Sequence, residues 1–265
     1  VSEGLRVEVA QGVARITFDR PETRNALSPD VLEALADTLR RVEDDAAVRC
    51  ILITGAGDHF VGGGDVKSFG PTLELSPLER KHVFERRLSA TGGLYATLQR
   101  MGKPMVARVR GAVAGAGISL VLACDFAVGA ENSFFVFAHR ALGLPPDGAL
   151  SYFLPRIVGW RRAKQLVLLG ARLNSQEALD IGLLTSRVPD IGLDEACEKI
   201  IASLVEAPSA GARLAKALFD VSLHNGIAEQ LRLEAAAVAE CAATADFEEG
   251  VRAFLEKRKP RFTGA

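Results

Sequence analysis

The sequence predicts an α/β fold that ends in an all-helical region. Two patterns carry this expectation. Short β-type runs alternate with helical runs through most of the chain, the order expected of a sheet with helices packed on it. From about Asp190 the strand pattern stops, and helical runs follow one another to the end. The 265 residues, 48% hydrophobic and 25% charged, are enough to bury a large core and exclude disorder as the main state.

Leu5 to Val9 and Val13 to Phe18 alternate apolar and polar residues around Gln11-Gly12, which predicts a hairpin. Val31, Leu32, Leu35, Leu39 and Val42 recur at helical spacing. Ser28 suits the N-cap of that helix and Pro29 its first position. Cys50 to Thr54 reads as a short buried strand ending in Gly55-Ala56-Gly57, and Pro77 to Leu98 as a helix. Met105 to Val109 is a further strand, Ile118 to Ala123 a helical run, and Cys124 to Val128 and Ser133 to Val136 two more strands. The later helices are Leu193 to Val205, Ala210 to Leu223, Ile227 to Ala242 and Phe247 to Glu256, with Pro208 and Asn225-Gly226 between them. This sets a first unit at residues 1–190 and a helical region at 191–265. The second is too small to be very stable alone and is expected to pack on the first or on another subunit.

Composition excludes several function classes. With 32 Lys and Arg against 33 Asp and Glu, the chain lacks the positive field that holds a phosphate backbone, so no nucleic-acid partner is expected. Cys50, Cys124, Cys197 and Cys241 lie far apart with no CxxC pair, and read as reduced packing residues. Val1 to Arg6 carries no signal-peptide pattern. The longest uncharged run, Gly111 to Cys124, is too short to cross a bilayer of roughly 30 Å. A cytoplasmic protein without membrane partners is expected. His59, His82, His139 and His224 are scattered without HxxxH spacing, so no metal site is expected. A Walker loop, a complete dinucleotide fingerprint and a GxSxG elbow are all missing.

Two Gly-rich turns remain: His59-Phe60-Val61-Gly62-Gly63-Gly64-Asp65-Val66-Lys67 after a strand, and Gly111-Ala112-Val113-Ala114-Gly115-Ala116-Gly117 before a helix. Small residues let another group approach the backbone. A helix start leaves N–H groups unpaired. Brought together, two such turns would offer paired amide donors to a developing oxyanion. Either turn alone is an ordinary tight turn.

The combination resembles the crotonase, or enoyl-CoA hydratase/isomerase, superfamily nearly end to end. Asp19-Arg20-Pro21-Glu22-Thr23-Arg24-Asn25-Ala26-Leu27 is similar to its RPxxxNAL segment. Ile53-Thr54-Gly55-Ala56-Gly57 and Phe60 to Lys67 are similar to ITGxG…FxxGxDxK. Ala114-Gly115-Ala116-Gly117 with Cys124-Asp125, Leu142 to Gly148, and Phe254 to Pro260 are similar to its later motifs. The resemblance implies a spiral of ββα units with a C-terminal helical trimerisation region, in a homotrimer or a hexamer made of two trimers. It implies an acyl-CoA substrate whose thioester oxygen sits between the amides of Gly64 and Ala116. Arg24 and Lys67 would lie near the CoA phosphates, and Lys257 would reach a CoA in a neighbouring subunit. No separate cofactor is implied, since coenzyme A is carried within the thioester.

The chain departs from the family's hydratases at both glutamates, whose positions hold Ser119 and His139. A hydroxyl ionising far above neutrality cannot replace a carboxylate base. Asp147, in Pro146-Asp147-Gly148, stands where isomerases resembling this sequence carry an acid/base Asp; the same tripeptide also suits a helix N-cap. The first expectation is an enoyl-CoA isomerase using Asp147. The alternatives are a hydratase, lyase or C–C hydrolase using His139 with Ser119 beside it, and a non-catalytic CoA-binding or scaffold protein.

Overall fold

A computed structural model of the protein describes residues 4–264. The N-terminal alternation becomes a hairpin: β1 (Leu5–Ala10) pairs antiparallel with β2 (Val13–Phe18) through Gln11 and Gly12, both in the left-handed region that matches the twist of the strands. The remaining strands are β3 (Cys50–Gly55), β4 (Met105–Val109), β5 (Ala112–Ala114), β6 (Phe126–Ala130), β7 (Phe134–Val136), β8 (Arg172–Asn174) and β9 (Ser186–Val188). They form a six-stranded sheet in the order β1-β2-β3-β4-β6-β9, parallel beyond the hairpin, and a three-stranded sheet in the order β5-β7-β8.

The helices are α1 (Pro29–Asp44), α2 (Pro77–Arg100), α3 (Ala116–Ala123), α4 (Leu150–Val158), α5 (Trp160–Leu169), α6 (Ser175–Asp180), α7 (Leu193–Val205), α8 (Ser209–Ser222), α9 (Ile227–Ala242) and α10 (Ala245–Leu255). Ser28 caps α1 by accepting from the Val31 N–H at 3.4 Å, and Ser76 and Glu79 form a reciprocal capping box on α2.

Two local readings change. The strand expected from Cys124 begins at Phe126, because the Cys124 N–H closes α3 onto the Val121 carbonyl. Asp125 is held outside the strand: its N–H donates to Met105 O, and its carboxylate accepts the Met105 N–H at 2.7 Å. Ala112–Ala114, read as part of a turn, is a strand because Phe134–Val136 supplies a parallel partner.

Side-chain alternation gives the large sheet two apolar faces. Ile16, Ile51, Ile53, Met105 and Ala107 point to the face covered by α1, α2 and α3. Val13, Cys50, Leu52, Val106 and Val128 point to the other, where α7 lays Leu193, Cys197 and Ile201. Beyond α7, helices α8 to α10 leave Phe219, Leu223, Ile227, Val238, Phe254 and Leu255 exposed. A partly buried Lys216–Asp125 ion pair at 2.6 Å ties α8 to the start of β6.

Asn25 pins the loop before α1 to the end of β3. It is buried, with Oδ1 accepting from the Arg20 N–H at 2.9 Å and Nδ2 donating toward the carbonyls of Ala56 (3.0 Å), His59 (2.8 Å) and Phe60 (3.1 Å). Asn25→Ala leaves these groups unpaired and is expected to cost about 3 kcal/mol in urea unfolding. Ser28→Ala, which removes only a helix cap, should cost about 1 kcal/mol in the same measurement.

Candidate active site

Among the backbone amides that the two Gly-rich turns leave without an acceptor are those of Gly64 and Ala116. Leu27 bridges in parallel to Gly64: the Leu27 N–H donates to Gly63 O at 2.8 Å, and the Asp65 N–H donates to Leu27 O at 3.1 Å. In a parallel bridge the bonds run to the neighbours of the opposed residue, so the N–H of Gly64 points away from Leu27. It has no acceptor among the described residues, and the space beside its Cα is open for 4 Å. Ala116 is the first residue of α3, and its N–H likewise has no acceptor among the described residues.

The two turns are pressed together. A second bridge joins Val61 to Val113, with the Ala114 N–H donating to Val61 O at 2.9 Å. Gly63 has φ +103°, and a Cβ there would sit 3.2 Å from the Ala114 carbonyl oxygen and 3.9 Å from the Gly115 Cα. A Cβ on Gly117 would come within 2.6 Å of Val61 O. Larger residues at these positions would push the turns apart. The free amides of Gly64 and Ala116 therefore lie on adjoining turns.

A polar pair is fastened beside the second turn. The Gly115 N–H donates to Val136 O at 3.2 Å, and the chain then runs through Phe137 to His139. His139 is buried, and its Nε2 lies 3.2 Å from Asp147 Oδ1. Its other ring nitrogen, Nδ1, is buried without a partner among the described residues. Asp147 keeps about a third of its side chain exposed. It does not cap α4: Ala149 holds the N-cap position, and only the Asp147 backbone carbonyl accepts from Leu150. The turn is occupied by the bond to His139 instead. Ser119, one turn into α3, is fully buried, and its Oγ has no partner among the described residues.

The site also contains a side chain that sequence reading did not single out. Tyr95, near the end of α2, is 6% exposed, and its ring and hydroxyl lie against Gly148, where a Cβ would come within 2.8 Å of Oη. Burial, reinforced by the nearby Asp147 charge, pushes its phenol well above the ordinary range, so it stays protonated. Its only sequence signal is scarcity, since the chain has two tyrosines. Tyr95 and Asp147 are too far apart in sequence for spacing to join them.

Arg24 and Lys67 flank the first turn, both exposed and without an ion-pair partner among the described residues. Arg24 is in the left-handed region at φ +57°, and its carbonyl accepts the Gly62 N–H at 2.8 Å, which holds its backbone against the turn. Lys257 is exposed at the end of α10. Within the chain it is not brought to the two turns, because α10 packs on α9. Two broad surface hollows, one between β1 and α1 and one under the C-terminal tail, are lined by none of these side chains. No described helix is long and apolar enough to cross a membrane.

Comparisons with known proteins agree on one family. The sequence profile described as Enoyl-CoA hydratase/isomerase matches residues 8–265. The 1,2-epoxyphenylacetyl-CoA isomerase of Escherichia coli is 35% identical over 268 residues, covering 99% of each chain. The crotonyl-CoA hydratase of Syntrophomonas wolfei is 34% identical over 262 residues, covering 98% of each. The crystal structure of an enoyl-CoA hydratase from Bacillus anthracis superposes with a TM-score of 0.90 at 29% identity, over 99% of this chain and all of that one.

The cysteines stand apart from the site chemistry. Burial pushes the thiols of Cys50 and Cys197 up to about 12 and that of Cys124 higher still, and Cys124 Sγ also donates toward Leu120 O. A group raised this far is almost wholly protonated at pH 8. Iodoacetamide at pH 8 should therefore leave these three unmodified in the native protein, while all four cysteines react in urea. Peptide mass mapping reads the difference, and rapid native labelling of Cys50, Cys124 or Cys197 would contradict their placement.

Proposed function

This chain belongs to the enoyl-CoA hydratase/isomerase family of acyl-CoA enzymes, and from that premise we infer that it shifts a carbon–carbon double bond in an enoyl-CoA. The observation that carries the reading is the identity of the polar groups beside the second turn. Of Ser119, His139 and Asp147, only Asp147 is a carboxylate, and it is both partly exposed and oriented by His139.

One carboxylate is sufficient for this reaction. Asp147 takes a proton from the carbon next to the thioester carbonyl of a 3-enoyl-CoA. The C–H electron pair moves into the acyl group, and negative charge builds on the thioester oxygen. The Gly64 and Ala116 amides meet that oxygen, and one fixed donor of this kind is typically worth about 2.7–4 kcal/mol in the transition state. Asp147, whose partly exposed carboxyl exchanges its proton with solvent, then delivers a proton two carbons further along, and a 2-enoyl-CoA leaves. Protons balance without water. His139 holds the carboxylate in one orientation, and Ser119 is buried within α3 beneath the second turn. The cations of Arg24 and Lys67 are suited to the CoA phosphates by charge and exposure, and coenzyme A arrives and departs as part of the thioester. The exposed apolar faces of α8 to α10 support a trimer or a pair of trimers, in which Lys257 would serve a neighbour's CoA.

A second reading has its own support in the 3.2 Å His139–Asp147 contact. A carboxylate-oriented imidazole can activate water, for addition across the double bond or for C–C hydrolysis. One relative is named a 1,2-epoxyphenylacetyl-CoA isomerase and another a crotonyl-CoA hydratase, so similar chains carry names of both classes.

Incubation of 3-hexenoyl-CoA in deuterated water separates the two. We expect a double-bond shift with deuterium entering the acyl chain and no hydroxyacyl product. Asp147→Asn should slow it by about 10²–10⁴-fold, the usual worth of a positioned base. Unchanged exchange in that variant, or hydroxyacyl-CoA lost only on His139→Ala, would transfer the chemistry to His139.

A further inference from the structure

The polar inventory around Asp147 exceeds what a double-bond shift in a plain hydrocarbon requires. Such a shift uses one carboxylate and two amides. The site also holds the Tyr95 hydroxyl, Ser119 Oγ and His139 Nδ1, all on buried residues and none hydrogen-bonded to another described residue. Buried polar atoms are ordinarily paired, and an unpaired one is costly. Tyr95 is the most informative. Unlike the other two atoms its hydroxyl is not sealed off, and it touches the backbone of the turn that presents Asp147. Gly148 has φ +56° and no room for a Cβ on that side, so the turn is shaped to lie directly on the phenol. Tyr95 reaches this place from α2, and its packing would be served equally well by Phe.

We propose that Tyr95 is a specificity-determining hydrogen-bond donor, and that the site takes acyl-CoA thioesters whose acyl group carries an oxygen acceptor close to the reacting carbons. The proposal rests on the acyl-CoA reading of this site and names the class of acyl group. A hydrocarbon chain drawn against Tyr95 strips water from the O–H and returns nothing. An ether, hydroxyl or carbonyl oxygen at that point accepts the bond. Sites built to hydrogen-bond a substrate atom discriminate strongly against the analogue that lacks it, because the protein group is then left unpaired. The phenol is fitted to donate and not to act as a base, since burial and the neighbouring carboxylate keep its proton in place.

The test compares binding, so that it does not depend on turnover. Dissociation constants are measured for hexanoyl-CoA and for two analogues in which the fourth or the fifth carbon is replaced by an ether oxygen, with the wild-type protein and with Tyr95→Phe. At least one ether analogue should bind the wild type about tenfold more tightly than hexanoyl-CoA, the size of one net hydrogen bond, and Tyr95→Phe should bring that ratio close to one. The melting temperature of unliganded Tyr95→Phe should be no lower than that of the wild type, because the hydroxyl has no partner in the protein to lose. An absent preference in the wild type, or one that survives in Tyr95→Phe, overturns the proposal. So does a variant that melts lower and loses all three ligands equally, since that marks a structural role. Exchange of 3-hexenoyl-CoA by the wild type answers separately for the double-bond shift. A preference for oxygen without exchange retires the shift and keeps the role of Tyr95, and exchange without the preference does the reverse.

Discussion

The contact between the two glycine turns is the constraint on which the rest of the molecule depends. Gly63 can lie against the Ala114 carbonyl, and Gly117 against the Val61 carbonyl, only because neither carries a Cβ. The bridges Leu27–Gly64 and Val61–Val113 hold the first turn on both sides and leave the N–H of Gly64 facing the other way. The start of α3 supplies the second unpaired N–H from a turn already fixed to the first. Donors held in this way need no reorganisation when charge appears on a bound carbonyl, which is what makes a preset pair of amides effective.

Everything outside that contact works to keep it in place. The parallel strands β2, β3 and β4 bring the starts of both turns to the same end of the large sheet. Asn25 ties the loop before α1 to the carbonyls of Ala56, His59 and Phe60, so the start of the first turn is anchored. The second turn is anchored through Gly115 to Val136 in the small sheet. That same strand leads directly into His139, and through it to Asp147. A shift of the small sheet would therefore move the amide of Ala116 and the carboxylate together. Shared anchoring of this kind keeps the carboxylate in register with the two free amides.

The C-terminal helices divide by what they bury. Helix α7 is part of the core, since it covers the second face of the large sheet and pairs Glu198 with Arg15 and Asp194 with Arg108 across it. Helices α8 to α10 contribute few fully buried side chains and hold large apolar residues at the surface. Their attachment to the rest is polar and local, through Lys216 to Asp125 and through Arg49 to the carbonyls of Ala207 and Phe262.

Local chemistry made much of this legible in the sequence. The hairpin, α1 with its Ser28 cap, β3, β4 and α7 follow from alternation, helical spacing and capping residues, all of which act between near neighbours. The two glycine turns could be recognised, and Ser119, His139 and Asp147 could be named as the groups at issue. The sequence could not say that Asp147 would be held by His139 and leave α4 uncapped by its side chain, nor that Ala112–Ala114 would be a strand, because each outcome depends on a partner supplied from elsewhere in the chain. Tyr95 is the clearest case. Nothing within its own helix distinguishes it, and only the folding of α2 across the Asp147–Gly148 turn gives its hydroxyl a place in the site. Residue identity and local spacing determined which groups were available, whereas the long-range packing of turns against one another decided which of them meet, because hydrogen-bond geometry is set across space and not along the chain.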